Sequence, residues 1–344
     1  MSGTSLDGVD LACCYFEEYN GIWSYKIQVA ETIPYSEQWK ERLRNLENAS
    51  AFEYVRTDLE YGHYLGHLSR KFITDHEINP DFIASHGHTI FHQPDKRITA
   101  QIGQGSAIVA ETGIPVVCDF RTADVALNGQ GAPLVPIGDR MLFHEYDYCL
   151  NLGGFANISF EEDEKRIAFD ICPANIVLNY FSAKAGFSFD RDGALARSGK
   201  PCDELLQKLN ALPFYKQPPP KSLGKEWVVK HVLPMMESFD LPVEDLLRTF
   251  CEHIATQISI AVKDGKNKKI LVTGGGTLNF FLMDELNKKS GVQLLIPDEN
   301  TINFKEALIF AFLGVLRWTN RVNCLCSVTG ADKDCIGGAI YYEV

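Results

Sequence analysis

The sequence predicts an α/β fold, because apolar runs of strand length alternate along the chain with stretches of helical periodicity. This alternation is typical of proteins in which helices cover the faces of a sheet. The predicted strands cover residues 9–16, 82–85, 116–119, 148–152 and 270–273. The predicted helices cover residues 54–76, 106–112, 174–185, 243–262 and 305–318.

Each predicted strand has a local justification. The runs at 9–16, 82–85 and 116–119 are followed by turn residues, and the runs at 148–152 and 270–273 lead directly into glycine turns. The predicted helices lie between these runs and repeat apolar residues at helical spacing. Residues 216–222 contain three consecutive prolines, which predicts an extended connector instead of a helix.

Length and composition limit the class of protein. A chain of 344 residues fits about two domains, and 45% apolar with 23% charged residues indicates a soluble globular protein. The formal net charge of −12 argues against a surface for nucleic acid or for an anionic membrane. The sequence shows neither a membrane-spanning apolar run nor a leader pattern at Met1. We therefore expect a cytoplasmic protein with no nucleic-acid or membrane partner.

The ten cysteines are scattered and include no Cys-x-x-Cys pair. Several occur in apolar, strand-like contexts, which favours reduced and mostly buried thiols over disulfides. Cys324, Cys326 and Cys335 also allow a metal site, although their spacing is irregular.

Three polar turns that contain glycine stand out, at residues 3–10, 151–159 and 273–277. In the first turn, backbone N–H groups can approach a phosphate, while Thr4, Ser5 and Asp7 can reach phosphate oxygens or a hydrated Mg²⁺. A polar turn at a frayed terminus is the alternative. Two similar domains facing each other across a cleft would bring the first two turns to one nucleotide. The third turn would support adenine or ribose on its backbone.

Short motifs follow one another in a specific order: MSGTSLDGVD at 1–10, SHGHT at 85–89, QIG at 101–103, DFR at 119–121, GQGAPL at 129–134, NLGG at 151–154, FD at 169–170, GGG at 274–276, EA at 306–307 and VTGA at 328–331. Through these motifs essentially the whole chain resembles the anhydro-N-acetylmuramic acid kinases, members of the sugar-kinase, heat-shock-chaperone and actin superfamily. The resemblance implies a two-lobed actin-like ATPase fold with duplicated ribonuclease H-like domains around a central nucleotide cleft. Residues 1–124 with 304–344 would form the N-terminal lobe, and residues 125–303 the C-terminal lobe.

The same resemblance implies a reaction. ATP with Mg²⁺ phosphorylates the 6-oxygen of 1,6-anhydro-N-acetylmuramic acid while water opens the anhydro ring, which gives N-acetylmuramic acid 6-phosphate in the recycling of peptidoglycan amino sugars. The partners are then the sugar and ATP, and because dimers are common in the family, a homodimer is compatible with it. The alternatives are a catalytically weak ATP-binding homologue that acts as a regulatory or binding module, and a kinase for a different amino sugar.

The site residues implied by the resemblance fall into three groups. Asp170 is the base that activates the water. The sugar-side residues are His86, Thr89, Arg121, Asp124, Asn175 and Glu306. The nucleotide-side residues are Gly3, Thr4, Ser5, Leu6, Asp7, Gly8, Val9, Asp10, Gly153, Gly154, Gly274, Gly275 and Gly276, with Asp7 holding Mg²⁺ through water.

Purely structural roles remain open for these residues at the sequence level. Asp170 precedes a helical pattern and would also suit a helix N-cap. Arg121 would also suit a surface ion pair with Asp119 or Asp124. Glu306 would also suit the first turn of an apolar helix, where the helix dipole favours an acid.

The histidines His86, His88 and His92 also allow a metal site, because residues two apart on a strand face the same side. His88 stands where the family has glutamine. Cys172 and Ala174 replace two glycines of the family, and we expect their side chains to narrow the sugar site. The family also begins with a strand before the first motif, and we expect the native start of this protein to lie upstream of Met1.

Overall fold

A computed structural model describes residues 1–3, 6–262 and 267–342 of the chain. Contacts divide it into two units: unit 1 comprises residues 1–142 and 304–344, and unit 2 comprises residues 143–303. Residues 125–142 thus belong to unit 1, where Asp139 forms a 2.7 Å ion pair with Lys305 and Gly138 packs against Ile309. The assignment of nucleotide and sugar functions to the two lobes stays a prediction.

The structure is of the α/β class, as predicted. Its strands are β1 (Gly8–Tyr19), β2 (Ile22–Pro34), β3 (Ile83–Ser85), β4 (His88–Gln93), β5 (Ile98–Ile102), β6 (Val116–Cys118), β7 (Tyr148–Leu152), β8 (Phe155–Glu162), β9 (Lys165–Pro173), β10 (Lys269–Thr273), β11 (Gln293–Leu295) and β12 (Ala339–Tyr341). Its α-helices are α1 (Glu37–Asn45), α2 (Ala51–Asp75), α3 (Gly105–Thr112), α4 (Thr122–Ala126), α5 (Val135–Leu142), α6 (Asn175–Lys184), α7 (Ala194–Ser198), α8 (Asp203–Asn210), α9 (Lys225–Trp227), α10 (Leu233–Glu237), α11 (Val243–Ala261), α12 (Phe280–Ser290), α13 (Glu299–Trp318) and α14 (Cys326–Thr329).

Unit 2 contains one five-stranded sheet with the order β11-β10-β7-β8-β9. Strands β7, β8 and β9 form an antiparallel meander, and β10 and β11 continue the sheet in parallel on the other side of β7. This mixed order is that of a ribonuclease H-like unit, and it makes β7 the central strand. The sequence of β7 accordingly includes Cys149, Leu150 and Leu152, all of which are buried.

The core of unit 2 forms around helix α11. Its buried face carries Leu247, Phe250, Ile254 and Ile258, at the spacing of three and four residues that places side chains on one side of a helix. His253 lies on the same helix and is completely buried, with its two ring nitrogens hydrogen-bonded to Asn210 and Tyr215. Burial lowers the pKa of His253 to about 3, so this histidine is a neutral core residue.

The strands of unit 1 also form antiparallel and parallel pairs, but these pairs belong to separate sheets. Strands β1 and β2 form a long antiparallel hairpin, β12, β6 and β3 form a mixed sheet in which β3 and β6 are parallel, and β4 and β5 form a second hairpin. Helix α2 packs closely on α3 because Gly62 and Gly66 face it. A Cβ atom on Gly62 would lie 2.8 Å from the Cβ of Ala107. These two glycines therefore set the distance between the helices.

The helix boundary that differs most from the sequence prediction is the start of α13. Helix α13 begins at Glu299 rather than at residue 305. Asp298 precedes it and accepts hydrogen bonds from the backbone N–H and the hydroxyl of Thr301, at 3.0 and 2.7 Å. Such an N-terminal cap starts the helix several residues before its apolar pattern begins. Within the described ranges, the helices all lack the combination of length and apolar composition that a bilayer span requires.

Candidate active site

Arg121 lies in unit 1 immediately before helix α4, where its guanidinium is fixed by two hydrogen bonds. Its Nε donates to Nε2 of His86 at 3.0 Å, and its Nη1 donates to the carbonyl of Gly131 at 2.6 Å. The ring of Phe310 lies under the guanidinium carbon, 5.7 Å from the ring centroid. The alternative of a surface ion pair with an aspartate is thus wrong for this residue, whose hydrogen bonds hold the fork inside the protein. These two bonds use two of the five N–H groups of the fork.

His86 is neutral in this arrangement. Because Nε2 accepts the hydrogen bond from Arg121, the ring proton is assigned to Nδ1, which donates to the carbonyl of Gly87 at 3.1 Å. Burial, reinforced by the positive charge of Arg121, holds the pKa of His86 well below its ordinary value. A neutral ring serves as an acceptor that orients the arginine, whereas a protonated ring would repel it.

Glu306 lies about two turns into helix α13, so the alternative role of a first-turn acid is wrong. Glu306 is an exposed residue, but desolvation by the surrounding protein raises the pKa of its carboxyl group. The positive charge of Arg121 opposes this shift, and the negative charge of Asp10 adds to it. Glu306, Arg121 and Asp10 therefore form one electrostatic group in unit 1.

Asp124 is completely buried in unit 1. One carboxylate oxygen accepts a 2.7 Å hydrogen bond from the backbone N–H of Gly131, and the other accepts bonds from the Thr329 hydroxyl at 2.7 Å and the Cys324 thiol at 3.0 Å. The carbonyl of Gly131 also accepts the hydrogen bond from Arg121. Asp124 is thereby a positioning residue for Arg121.

His88 fixes the start of the chain. Its Nδ1 is 2.8 Å from the hydroxyl of Ser2, and that hydroxyl is 2.6 Å from the phenol of Tyr35, which hydrogen-bonds to Tyr61. Burial lowers the pKa of His88 to about 4. Sequence analysis missed this network, because its four members come from four separate segments.

The alternative of a metal held by the histidines is not supported. His86 uses both ring nitrogens within the protein, and His88 is bonded to Ser2. Over residues 1–3, 6–262 and 267–342, one group of three candidate ligands lies close together, and its members are Asp124, Cys324 and Cys335. Thr89, another predicted sugar-side residue, accepts a 3.3 Å hydrogen bond from the side chain of Gln101 on the neighbouring strand.

The first glycine turn is described only in part, since Thr4 and Ser5 lie outside the described residues. Gly8 packs so tightly on β2 that a Cβ atom would lie 2.4 Å from the carbonyl oxygen of Ile33, and the side chain of Val9 is buried in the core. The side chain of Asp7 is exposed. Of these residues, Asp7 therefore offers the accessible carboxylate, and Gly8 and Val9 offer only backbone groups.

The remaining first-turn predictions concern Gly3, Leu6 and Asp10. The backbone N–H of Leu6 donates to the carbonyl of Gly3 at 3.4 Å. Asp10 accepts a 2.6 Å hydrogen bond from the hydroxyl of Thr32 on strand β2. Its backbone pairs with Met1 in both directions, at 2.7 and 2.8 Å. These bonds tie Met1 to strand β1 and the side chain of Asp10 to strand β2.

In unit 2, Asp170 lies within strand β9 and is partly buried. One carboxylate oxygen accepts a 2.8 Å hydrogen bond from the backbone N–H of Leu223, and desolvation raises the pKa of the carboxyl group. The alternative N-cap role is wrong, because the residue before helix α6 is Ala174. Strand pairing skips Ile171, so a β-bulge follows Asp170 directly. Bulges of this kind re-aim side chains next to active sites.

The second glycine turn joins β7 to β8 and packs on the start of α6. The carbonyls of Gly153 and Gly154 accept backbone N–H groups of Asn175 and Ile176, both at 3.2 Å. The Asn175 side chain donates to the carbonyl of Leu152 at 3.2 Å. Asn175 therefore holds the second turn in place.

The third glycine turn, Gly274 to Gly276, leaves open space at its middle residue. Gly274 has a φ of +85°, and a Cβ atom there would lie 2.6 Å from the side chain of Asn151. A Cβ atom on Gly276 would lie 2.6 Å from the Cβ of Leu152, whereas nothing described lies within 4 Å of one on Gly275. Gly274 and Gly276 thus serve close packing on β7, and the surface around Gly275 has room for a flat ligand.

The side chains of Cys172 and Ala174 lie in the protein core, which corrects the expectation that they narrow the sugar site. Both residues are fully buried and belong to the apolar core of unit 2. Burial accordingly raises the pKa of the Cys172 thiol. The bulge at Ile171 explains the difference, because it turns the strand after Asp170.

Residues 1–343 match the model of one protein family, described as Anhydro-N-acetylmuramic acid kinase. Three proteins with that name, from Sulfurimonas denitrificans, Aliivibrio fischeri and Vibrio cholerae, are 32%, 35% and 33% identical to this chain. The alignments cover 99% of this chain in each case and 98%, 97% and 97% of the three relatives. Among solved structures, the activator of the 2-hydroxyisocaproyl-CoA dehydratase from Clostridium difficile overlaps with a TM-score of 0.35 at 13% identity, over 61% of this chain and 82% of its own.

We predict that Gly274→Ala lowers the free energy of unfolding by about 1–3 kcal/mol, because an alanine is strained at positive φ and meets Asn151. The matched variant Gly275→Ala places its methyl group in open space and is expected to change stability by about 0.5 kcal/mol or less. Urea unfolding followed by tryptophan fluorescence measures both. Equal destabilisation by the two variants would contradict the packing role of Gly274.

We predict that His88→Gln makes the protein less sensitive to acid. The unfolded chain takes up a proton near the ordinary histidine pKa of 6.5, whereas folded His88 does so only near pH 4, so wild-type stability falls as the pH drops between these values. Between pH 7.5 and pH 5 the protonation of this one histidine lowers the free energy of unfolding by about 2 kcal/mol. The introduced glutamine amide keeps a polar partner for Ser2. Because glutamine does not titrate, the pH-dependent contribution of His88 to stability is removed. Urea unfolding at both pH values measures the difference, and His67→Gln, at an exposed position, is the control.

Proposed function

The chain belongs to the anhydro-N-acetylmuramic acid kinase family, and from this premise we propose that Asp170 is the base of its reaction. The protein is an ATP-dependent kinase of peptidoglycan amino-sugar recycling. In the proposed reaction the 6-oxygen of 1,6-anhydro-N-acetylmuramic acid receives the γ-phosphoryl group of ATP, and water adds at the anomeric carbon as the anhydro bridge opens. Asp170 takes the proton of that water.

The environment of Asp170 supports this role. A base must be ionised to accept a proton, and the hydrogen bond from the Leu223 N–H at 2.8 Å stabilises the ionised form. Partial burial raises the pKa of the same carboxyl group and so increases its affinity for a proton. Its place on an inner stretch of β9, paired with Asn157 on β8, restrains the backbone that carries it. A base on a strand keeps its position better than one on a loop.

Arg121 is proposed to bind the lactyl carboxylate of the sugar. The hydrogen bonds to His86 and Gly131 orient the guanidinium, and its other N–H groups can receive a carboxylate in the two-pronged geometry that arginine favours. Glu306 and Thr89 are proposed to hydrogen-bond sugar hydroxyl groups nearby. The roles of Asp124 and Asn175 are indirect in this proposal, because their polar atoms hold Gly131 and Leu152.

The three glycine turns are proposed to bind ATP. Open space at Gly275 and the exposed carboxylate of Asp7 support this, because the former fits a flat base or ribose and the latter is a hard oxygen donor suited to Mg²⁺ through water. When bound, ATP supplies the phosphoryl group and Mg²⁺ neutralises its developing charge. A cytoplasmic location and a homodimer accompany the proposal as predictions of the family resemblance.

The mass gained by the sugar tests this function. Incubation with ATP, Mg²⁺ and the anhydro sugar should add phosphate and one water to the sugar. Addition of phosphate alone would indicate a kinase that leaves the anhydro ring closed. An unchanged sugar, with nucleotide still bound, would instead indicate a binding module.

We predict that Asp170→Asn lowers kcat by about two to four orders of magnitude, the usual contribution of a general base. The asparagine oxygen can still accept from Leu223, so ATP affinity and the unfolding midpoint should stay near wild type. Steady-state kinetics with nucleotide titration measures both effects. Asp163→Asn, in the exposed turn between β8 and β9, is the matched control and should be fully active. Turnover of Asp170→Asn at the wild-type rate would refute the role.

We predict that Arg121→Lys raises KM for the sugar by about 10- to 100-fold, because lysine keeps the charge and loses the fork. The KM for ATP should change little. Arg44→Lys, at an exposed position on α1, should change neither constant and serves as the control. A rise in the KM for ATP with an unchanged KM for the sugar would assign Arg121 to the nucleotide instead.

A further inference from the structure

Cys324 and Cys335 face each other in unit 1 as an isolated antiparallel pair. The backbone N–H of each donates to the carbonyl of the other, at 3.2 and 3.1 Å. In such a hydrogen-bonded pair the Cα atoms lie about 5.5 Å apart, which is within the range of about 4.4–6.8 Å that a disulfide spans. Both residues are reduced thiols, and their sulfur atoms lie within 4.8 Å of each other and of an Asp124 carboxylate oxygen. The backbone therefore holds the two thiols in reach of a bond with little rearrangement.

This thiol pair adjoins the hydrogen bonds that position Arg121. The Cys324 thiol donates a hydrogen bond to Asp124 at 3.0 Å. Asp124 also accepts a hydrogen bond from the N–H of Gly131 at 2.7 Å, and the carbonyl of Gly131 accepts one from Arg121 at 2.6 Å. Asp124 is completely buried, so each donor to its charge matters. Loss of the thiol proton of Cys324 would remove one donor and leave Thr329 and Gly131 as the described donors.

We propose that Cys324 and Cys335 are a redox modification site, which a low-molecular-weight disulfide closes to a protein disulfide and a thiol reopens. Closure removes the Cys324 donor from Asp124, loosens the Gly131 segment and weakens the hold on Arg121. The consequence for sugar binding rests on the function proposed above, whereas formation of the bond does not.

The two thiols have different roles in the reaction. Cys335 is partly exposed and Cys324 is 2% exposed, so an oxidant RSSR meets Cys335 first. Contact with Cys324 lowers the pKa of Cys335 against the opposing effects of burial, Asp124 and Asp334, whereas contact with Cys335, burial and the Asp124 carboxylate all raise the pKa of Cys324. Cys335, whose sulfur is the more accessible of the two, therefore also forms the thiolate more easily.

The steps balance as thiol–disulfide exchange. The Cys335 thiolate attacks one sulfur of RSSR, which breaks the S–S bond of the oxidant, forms a mixed disulfide and releases RS⁻. Cys324 then attacks the sulfur of Cys335, while its proton passes by way of the Asp124 oxygen that it already contacts to the departing RS⁻, so the second RSH leaves and Asp124 stays a carboxylate. Two protein thiols are oxidised, and RSSR is reduced to two RSH once the protons are taken up.

A metal ion explains the same cluster less well. Zinc in proteins usually takes four ligands, and the cluster supplies three. Both carboxylate oxygens of Asp124 already accept hydrogen bonds, from Gly131 and from Thr329 with Cys324. Disulfide formation needs neither a further ligand nor release of the bonds from Gly131 and Thr329.

The test exposes the full chain to glutathione disulfide, blocks the remaining thiols under denaturing conditions and maps the peptides by mass spectrometry. We expect one linked peptide pair joining Cys324 to Cys335, reversed by dithiothreitol. The variant Cys335→Ser should give no such link. Cys326→Ser, which removes a neighbouring thiol outside the cluster, should keep it. Absence of the link in wild type, links spread among other cysteines, or protection of both thiols by added Zn²⁺ alone would overturn the proposal.

The kinetic consequence has its own readout. Oxidised wild-type protein should show a KM for the sugar about tenfold higher than reduced protein, as expected for the loss of one hydrogen bond to a buried charge. The KM for ATP should be unchanged, and Cys335→Ser should be insensitive to the oxidant. A linked protein with an unchanged KM would overturn the coupling to Arg121. If the reduced protein leaves the anhydro sugar unchanged, the proposed function fails, and the peptide map still decides whether the disulfide forms.

Discussion

The buried carboxylate of Asp124 is the constraint on which the geometry of unit 1 depends. A charge with no solvent contact is tolerated only when hydrogen-bond donors surround it, and here Gly131, Thr329 and Cys324 donate to it. The donors come from chain segments about 200 residues apart. Because the carboxylate requires them together, one side chain joins the loop after α4 to the segment around α14. Arg121 takes its orientation from that joined loop.

The electrostatics of unit 1 follow from this arrangement. Arg121 is held in the protein by neutral acceptors, the ring of His86 and the carbonyl of Gly131. Its positive charge is therefore not cancelled by an ion pair with a neighbouring aspartate, and it acts on Glu306, whose pKa it lowers against the effect of desolvation. A guanidinium that is oriented by neutral hydrogen-bond acceptors is suited to receive a carboxylate from a ligand.

The sequence was sufficient to predict the features that depend on the local order of apolar residues and glycines. The α/β class follows from alternating runs, and the glycine turns after β7 and β10 follow from composition. The start of α13 at Glu299 was missed because its first turns are not apolar, although Asp298 with Thr301 was a capping signal that sequence analysis could have used. The bulge at Ile171 and the Asp124 cluster depend on pairings between distant segments. No periodicity in the sequence encodes such pairings, so they could not be predicted.

The two units position their proposed site residues by different means. In unit 2 the ladder is continuous from β11 to β9, so Asp170 takes its place from backbone pairing and from the bulge that follows it. In unit 1 the strands form separate sheets, and side-chain networks do the corresponding work, through Asp124 and through the bond between Ser2 and His88. Backbone pairing does not change with proton or thiol chemistry, whereas side-chain networks do. Sensitivity to acid and to oxidation in unit 1 should therefore arise at the residues that orient Arg121 and the first turn, while the strand that carries Asp170 keeps its geometry.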